Sequence, residues 1–298
     1  MRILITGGTG LIGRALCRHW TRQGHQLVVW SRRPQAVAAL CGDSVRGIAR
    51  LEELAGEPLD AVVNLAGAPI ADRPWTRRRR AQLWDSRVHL TEQLVDWLGT
   101  LQSRPAVLIS GSAVGWYGDA GEHPLEESSA PVSSDFASQL CIAWEESAQR
   151  AEALGMRVVL LRTGLVLAGE GGFLSRLLPA FRLGLGGRIG SGRQWMPWIH
   201  LDDQVALIDF LLQHPAASGP YNACAPQPVR NAEFSQVLGQ VLHRPVWLPL
   251  PAAGLRLGLG EMAGLLLGGQ RALPARLQAE GFVFRFTELR AALADLLE

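Results

Sequence analysis

Three glycines spaced three residues apart, Gly7, Gly10 and Gly13, are the residues whose type and spacing point most directly to chemistry. They lie between a short apolar run at 2–6 and a segment at 11–20 with helical spacing. Glycines here allow a tight turn, close approach of the backbone to a pyrophosphate, and close packing of the helix on the strand. The helix N-terminus also directs free N–H groups at a phosphate. The stretch therefore predicts a dinucleotide site, the alternative being a glycine turn without a ligand, and the expected contacts are Gly7, Thr9, Gly10, Leu11, Ile12 and Gly13.

The residues after the second predicted strand indicate which dinucleotide is bound. The apolar run 25–30 is followed by Ser31, Arg32 and Arg33, at a place where sites for a free ribose 2′-hydroxyl usually carry an acidic residue. A hydroxyl and two guanidinium groups can bind a 2′-phosphate, which a carboxylate would repel. These three residues therefore favour NADP(H) over NAD(H). The alternative is that the two arginines belong to an ordinary surface loop.

Two further apolar runs, 59–65 and 106–109, predict parallel strands that end in small and polar residues. Ligands of open parallel sheets bind beyond the carboxyl ends of the strands, so residues there are expected to contact the cofactor or the substrate. Ser112 is well placed for chemistry, and the alternative for it is a helix cap or a turn serine. The expected cofactor contacts at these strand ends are Leu65, Ala66, Gly67 and Ser110.

The basic run WTRRRR at 75–80 leads into a long predicted helix at 77–101. We interpret this run as a solvated helix start and not as a nucleic-acid patch, because neither interleaved aromatic residues nor net charge supports such a patch. On the same helix, Gln82 and Arg87 either face the cofactor groove or are solvated.

A glycine-dense loop at 184–194 is the best candidate for substrate contact. Glycine-rich backbone together with the arginines of this loop suits a phosphate or a carboxylate, which makes Arg193 and Gln194 predicted substrate contacts, and the alternative is a flexible linker. His200 is a third candidate because its side chain titrates near neutral pH. The simpler interpretation places it as a polar residue beside a helix that an aspartate at 202 or 203 caps.

Composition limits the class of protein. The chain has 298 residues, with 29 basic against 27 acidic side chains and a net charge of +2, which argues for neither a nucleic acid nor a membrane surface as partner. Four widely spaced cysteines without metal-ligand spacing are typical of reduced thiols in a cytoplasmic protein, and we predict no metal site. The apolar stretch 252–269 is interrupted by charges and glycines, so it is not expected to span a bilayer.

Taken in order, GGTGLIG, NLAG, SGSAVGWYGD, LLRTGLVL and WIHLDD resemble the extended short-chain dehydrogenase/reductases. WTRRRRAQLWDSR, RLGLGGRIGSGRQ and GQRALPARLQAEGF are similar to its atypical, epimerase-like branch, the NAD-dependent epimerase/dehydratase-like proteins of the YfcH type. The resemblance implies an α/β fold: a Rossmann-type doubly wound parallel sheet with a smaller C-terminal substrate lobe. We expect an NADP-binding domain at 1–167, completed by segments near 198–225, and an interleaved substrate lobe and C-terminal extension at 168–298.

The resemblance also implies a catalytic serine with a Tyr-x-x-x-Lys pair on the next helix, and here the sequence departs from it. Ser112 matches the serine, whereas the tyrosine position holds Phe136 or Ala137 and the lysine position holds Leu140 or Cys141. None of these supplies a proton donor of the required kind or a cation. Among possible replacements, Tyr117 looks like the family's substrate-side tyrosine, with packing as the alternative. Arg87 stands where relatives keep an asparagine, and it could meet the charge that the lysine would have met.

The sequence thus predicts an NADP(H)-dependent oxidoreductase or epimerase-like enzyme acting on an unknown small polar or nucleotide-linked substrate. Its alternative is a non-catalytic NADP(H)-binding sensor or regulatory protein, which the missing tyrosine and lysine favour. The chain is expected to be a monomer or a homodimer.

Overall fold

The computed structural model describes residues 1–132 and 135–298. The strands are β1 (Arg2–Thr6), β2 (Gln26–Trp30), β3 (Arg46–Ile48), β4 (Ala61–Asn64), β5 (Val107–Ala113), β6 (Pro124–Leu125), β7 (Arg157–Thr163), β8 (Leu165–Leu167), β9 (Trp195–Met196), β10 (Trp198–His200), β11 (Gly219–Ala223), β12 (Val229–Arg230) and β13 (Arg271–Ala272). The helices are α1 (Leu11–Arg22), α2 (Val37–Cys41), α3 (Arg77–Trp84), α4 (Leu90–Thr100), α5 (Phe136–Gln149), α6 (Leu174–Arg182), α7 (Leu201–Gln213), α8 (Asn231–Val241), α9 (Ala252–Leu259), α10 (Gly264–Leu267), α11 (Ala275–Ala279) and α12 (Leu289–Leu297).

The central sheet has seven parallel strands in the order β3-β2-β1-β4-β5-β7-β11. The apolar β-branched runs of the sequence form its middle strands, which are buried on both faces, as parallel strands covered by helices must be. The order reverses between β1 and β4, which is the switch point where such sheets bind ligands. The predicted doubly wound α/β fold is confirmed.

Alternate residues of the strands point to two different helical layers. Ile3 and Ile5 pack in a core with residues of α1 and α7, whereas Leu4 packs in a second core with residues of α4 and α5. This alternation follows from the two-residue period of a strand. Strand β1 therefore lies between the two helical layers, and the glycines after β1 lie at the carboxyl-terminal end of the sheet.

A third core lies in the C-terminal part of the chain, where α6, α8 and α12 pack around Trp198 and Phe234. Short strand pairs connect this part to the rest: β8 with β10, β9 with β12, and β6 with β13. Strand β11 returns to the edge of the central sheet beside β7. The division into two domains at residue 167 stays a prediction.

Three elements differ from their predicted bounds. Strand β5 continues through Ala113, because the polar and small residues after Ile109 keep pairing with β7. The apolar run at 158–167 predicts a single strand, but it is divided into β7 and β8 at Gly164, where a side chain would collide with the carbonyl oxygen of Pro197. The long helix predicted at 77–101 contains a π-helical segment, Asp85–His89, between α3 and α4.

Candidate functional site

The glycine turn after β1 is packed tightly on one side and open on the other. Gly7 has φ of 67°, and a Cβ added to it would lie 2.5 Å from the carbonyl oxygen of Leu65. A Cβ on Gly13 would lie closer than 3.0 Å to the Gly7 carbonyl oxygen. Beside Gly10 a Cβ would meet only that same oxygen, at 3.1 Å, within 4 Å. Gly7 and Gly13 therefore close the turn, and Gly10 leaves the outer side of the turn accessible.

Free N–H groups face this open side. The first helical hydrogen bond of α1 runs from the Arg14 amide to the Gly10 carbonyl oxygen, at 2.9 Å. The amides of Leu11, Ile12 and Gly13 donate to no acceptor in the part of the chain that the structure describes. These unsatisfied donors and the helix dipole make the N-terminus of α1 a site suited to an anion. Thr9 belongs to the same turn.

A buried hydrogen-bond network holds the carboxyl-terminal end of β4 against the glycine turn. The Thr6 hydroxyl donates to Asn64 Oδ1 at 2.6 Å and accepts from the Ala66 amide at 3.0 Å. Asn64 Nδ2 donates to Thr91 Oγ1 at 2.8 Å and to Ser110 Oγ at 3.1 Å. Ser110 is completely buried, so it orders the sheet edge and is not placed to contact a cofactor directly. The segment 65–67, predicted to contact the cofactor, lies next to the glycine turn as a result.

The end of β2 presents two exposed cations. The Arg33 amide donates to Ser31 Oγ at 3.1 Å, and the guanidinium groups of Arg32 and Arg33 have no carboxylate within ion-pair distance among the described residues. Unpaired guanidinium groups beside a hydroxyl are suited to a phosphate. Arg14 adds a cation that sequence reasoning missed: its Nε is buried without a partner, and its charge acts on Cys41 of the neighbouring helix.

Of the two candidates on the interrupted helix, only Arg87 lies at the groove. Gln82 is exposed and accepts from Arg79 Nη1 at 2.6 Å. The Arg87 guanidinium donates to the Ala68 carbonyl oxygen at 3.0 Å, and it would be 3.0 Å from a Cβ on Gly67. Burial lowers the pKa of Arg87, and no carboxylate pairs with it in the described chain. Its place in the π-helical segment Asp85–His89 is typical of functional positions.

A cavity of about 860 Å³ lies beyond the carboxyl ends of β5 and β7, between the sheet and the C-terminal part of the chain. Its walls come from the loop after β4, the end of β5, α5, the loop before β9, and the segment 260–270. The size suits a small-molecule ligand. The described lining residues include Ile70, Trp75, Ala113, Gly115, Ala137, Cys141, Leu165, Phe173, Gln194, Trp195, Leu265, Leu266 and Leu267.

The cavity decides which residues of α5 occupy the positions of the missing pair. Ala137 and Cys141 line it, whereas Phe136 and Leu140 pack in a separate apolar cluster. The pair positions therefore hold an alanine and a thiol, and burial raises the pKa of Cys141 to about 12. The sequence contains no lysine and only two tyrosines. Because this sequence has no lysine, no Tyr–Lys pair can form within it, and the composition alone carries that signal.

The structure brings the two predicted catalytic residues together, but in the core and not at the cavity. Ser112 Oγ donates to Glu145 Oε1 at 2.6 Å, and Glu145 pairs with Arg162 through two contacts of 2.9 Å. Arg162 Nη1 donates to the Tyr117 hydroxyl at 3.1 Å, and that hydroxyl donates to Asn222 Oδ1 at 2.8 Å.

This network explains why neither hydroxyl is free to act on a ligand. Ser112 is 5% exposed, Tyr117 is fully buried, and neither belongs to the described cavity lining. Burial raises the pKa of Tyr117 to about 12, although Arg162 opposes this shift. A proton donor needs access to the reacting atom and a pKa near the working pH. The geometry thus favours the packing alternative for Tyr117 and a supporting role for Ser112.

Another segment of the chain occupies the space beside the glycine-dense loop. A Cβ on Gly187 would lie closer than 3.0 Å to the Leu248 carbonyl oxygen, because the extended segment 245–250 runs against this loop. Arg193 is exposed and does not line the cavity among the described residues. Gln194 does line it, and its Nε2 donates to the carbonyl oxygens of Ile189 at 3.0 Å and Leu266 at 2.8 Å.

His200 lies away from the cavity, at the start of α7. Its Nδ1 accepts from the Asp202 amide at 3.1 Å, so the histidine and not an aspartate caps this helix. Its ring is 4.0 Å from the ring of Phe286, and Nε2 faces Asp295 at 3.4 Å. Burial lowers the pKa of His200. These contacts give His200 a role in helix capping and packing, and its contact with a substrate stays a prediction.

The sheet order and the open glycine turn define a Rossmann-type nucleotide-binding protein. The model of the NAD dependent epimerase/dehydratase family matches residues 3–224, and that of a domain of unknown function, DUF1731, matches residues 250–296. The chain belongs to the NAD dependent epimerase/dehydratase family, as the sequence motifs predicted.

Curated relatives cover the full length of the chain. "Epimerase family protein YfhF" of Bacillus subtilis is 38% identical over 301 residues, which is 100% of this chain and 98% of that protein. The chloroplastic "Epimerase family protein SDR39U1 homolog" of Arabidopsis thaliana is 38% identical over 305 residues, 100% of this chain and 87% of that protein. The crystal structure of human epimerase family protein SDR39U1 (isoform 2) with NADPH is 34% identical, covers 99% of both chains and has a TM-score of 0.89.

Within residues 1–132 and 135–298, no helix has both the length and the apolar content needed to cross a membrane. Within the same ranges, His, Cys, Asp and Glu side chains form no group of three or more that is suited to a metal ion.

Proposed function

We propose that this chain binds NADP(H) at the N-terminus of α1 and supports nicotinamide-dependent, epimerase-like or oxidoreductase chemistry on a small molecule in the cavity. The observation that carries the proposal is the set of unsatisfied amides at Leu11, Ile12 and Gly13, which open beside Gly10. The NADPH in the crystal structure of the human relative supports the same choice of cofactor.

Each part of the cofactor has suitable residues in this proposal. The free amides bind the pyrophosphate, and Ser31 with Arg32 and Arg33 binds the 2′-phosphate. The segment 65–67 lies under the adenosine and ribose, where small residues avoid a steric conflict. Arg87 supplies positive charge next to the cavity wall at Cys141. When bound, the cofactor would supply hydride transfer, and the chain would hold the substrate beyond the end of β5.

The residues at the two pair positions of α5 do not supply the proton donor that an enzymatic function would need. The wall that carries tyrosine and lysine in related reductases presents a methyl group and a neutral thiol, from Ala137 and Cys141. This observation favours a second candidate, an NADP(H)-binding sensor without turnover. Single-turnover oxidation of bound NADPH by a panel of carbonyl compounds separates the two: acceleration by a compound supports the enzyme, and no acceleration by any compound supports the sensor.

Cofactor choice tests the proposal itself. Calorimetric titration of wild-type protein should show tighter binding of NADPH than of NADH. Arg32→Asp should weaken NADPH by about 10- to 100-fold, the equivalent of losing a charge-assisted hydrogen bond, and should leave NADH almost unchanged. Arg22→Asp, at another exposed position of the same part of the chain, is the matched control and should affect neither. Equal losses for both dinucleotides in the Arg32 variant would reject the assignment.

A further inference from the structure

We propose that the cavity binds a neutral carbonyl compound with a largely apolar body, and not a nucleotide-linked or phosphorylated substrate. The inference that the ligand has a carbonyl group rests on the proposed function, because hydride transfer needs an acceptor carbon. The inference that its body is apolar follows from the cavity alone.

The first argument is the chemical character of the cavity wall. Large apolar side chains face the cavity and are only partly buried by the protein: Ile70, Phe173, Trp195, Leu265, Leu266 and Leu267. Removing such surface from water is favourable at roughly 25 cal/mol per Å², so an apolar ligand gains affinity from each of these contacts. Helix α10 supplies the last three of these six side chains, and none of its residues is fully buried.

The second argument is charge. The only described basic residue that lines the cavity is Arg256, which is exposed, whereas Asp119, Asp135 and Glu261 are acidic. Glu261 forms an ion pair with Arg80, and among the described residues the lining offers a diphosphate a single exposed cation. A diphosphate needs several cationic or N–H donors, and carboxylates repel it. The cavity therefore disfavours an anionic ligand.

The third argument is that the loop predicted to hold a phosphate is occupied. Its backbone pairs with the segment that leads to α9, through bridges from Gly186 to Val246 and from Ile189 to Leu250. A Cβ on Gly187 would collide with the Leu248 carbonyl oxygen, so the chain itself fills the space at this glycine. The arginines of the loop, Arg188 and Arg193, are exposed, and neither belongs to the described cavity lining.

The C-terminal extension fixes the apolar wall in place. Gln194 Nε2 bridges the loop and the extension through the carbonyl oxygens of Ile189 and Leu266. Gly269 passes so close to the Trp195 backbone that a side chain there would collide with it. The leucines of the extension are therefore held over the cavity by backbone contacts, which a side-chain substitution leaves intact.

Competition against the neutral dye Nile red tests the inference with saturating NADPH present. The competitors are the methyl ketones butanone, hexanone and octanone, with UDP-glucose as the nucleotide-linked alternative. The affinity of the ketones should rise about fourfold with each added CH₂, and UDP-glucose should not compete. Leu266→Gln should weaken octanone by about tenfold or more, and Leu257→Gln, on an exposed leucine outside the described lining, should not.

Three results would overturn the inference: UDP-glucose displacing the dye better than octanone, ketone affinity independent of chain length, or no ketone binding at all. If Leu266→Gln fails to fold, as thermal unfolding would show, Leu265→Gln serves in its place. Titration of NADPH in the same samples keeps the two proposals apart. NADPH binding without ketone binding rejects the apolar substrate alone, whereas ketone binding without NADPH binding rejects the proposed function.

Discussion

Replacing Ser112 by alanine separates a catalytic serine from one that supports the core. The substitution removes a buried hydroxyl that donates to the Glu145 carboxylate at 2.6 Å. A hydrogen bond to a charged group contributes about 1.5–3 kcal/mol to stability. Glu145 keeps both contacts with Arg162, so its charge stays paired and the larger penalty of a broken buried ion pair does not arise. We therefore expect Ser112→Ala to lower the free energy of unfolding by about 1.5–3 kcal/mol.

The same variant should bind NADPH as the wild type does, because Ser112 does not line the described cavity. Urea unfolding followed by fluorescence gives the stability, and calorimetric titration gives the affinity. Ser110→Ala is the matched control on the same strand: its hydroxyl takes part in a hydrogen bond between neutral groups, so its loss should cost about 0.5–1.5 kcal/mol. A Ser112 variant with wild-type stability and at least tenfold weaker NADPH binding or turnover would refute this reasoning and return the serine to the active site.

Three further substitutions give distinct expected results. Gly13→Ala places a methyl group against the Gly7 carbonyl oxygen, so it should cost about 1–3 kcal/mol of stability and weaken NADPH in titration; unchanged affinity would contradict the tight turn. Burial lowers the pKa of His200 in the folded protein, so the same histidine in the unfolded chain binds its proton at a higher pH. The free energy of unfolding should therefore fall as the pH drops below the ordinary histidine pKa. In His200→Asn, which can still cap α7, urea unfolding at several pH values should show a shallower decline, and an identical one would exclude this histidine as the cause. Cys141→Lys buries a cation beside Arg87, so it should cost about 3 kcal/mol or more in thermal unfolding, and a variant of wild-type stability would show that the wall is more polar than described.

The fold was predictable because its signals are local. The apolar β-branched run before Gly7, the spacing of the glycines, and the helical pattern after them each lie within one element. The end of β5 was not predictable in the same way. The sequence SGSA is typical of a turn, and only its pairing with β7 keeps it in the strand. The side chain of Ser112 consequently lies against Glu145 in the core.

The features of the site that the sequence does not reveal have a common cause, which is contact between distant parts of the chain. Glycines at 184–192 predict a loop that could bind an anion, but the segment 245–250 occupies that place, and no pattern within the loop announces it. On α5, the sequence allows Phe136 or Ala137 at the tyrosine position, and only the long-range packing places Ala137, and not Phe136, in the described cavity lining. The apolar wall from the C-terminal extension depends on the same kind of long-range contact.

A crystal structure of the protein with NADPH tests the central claim most directly. The account predicts the pyrophosphate on the amides of Leu11 and Ile12, and the 2′-phosphate within hydrogen-bond distance of Ser31 and the guanidinium group of Arg32 or Arg33. Electron density for the dinucleotide at another place, or a groove that stays empty at saturating NADPH, would contradict it.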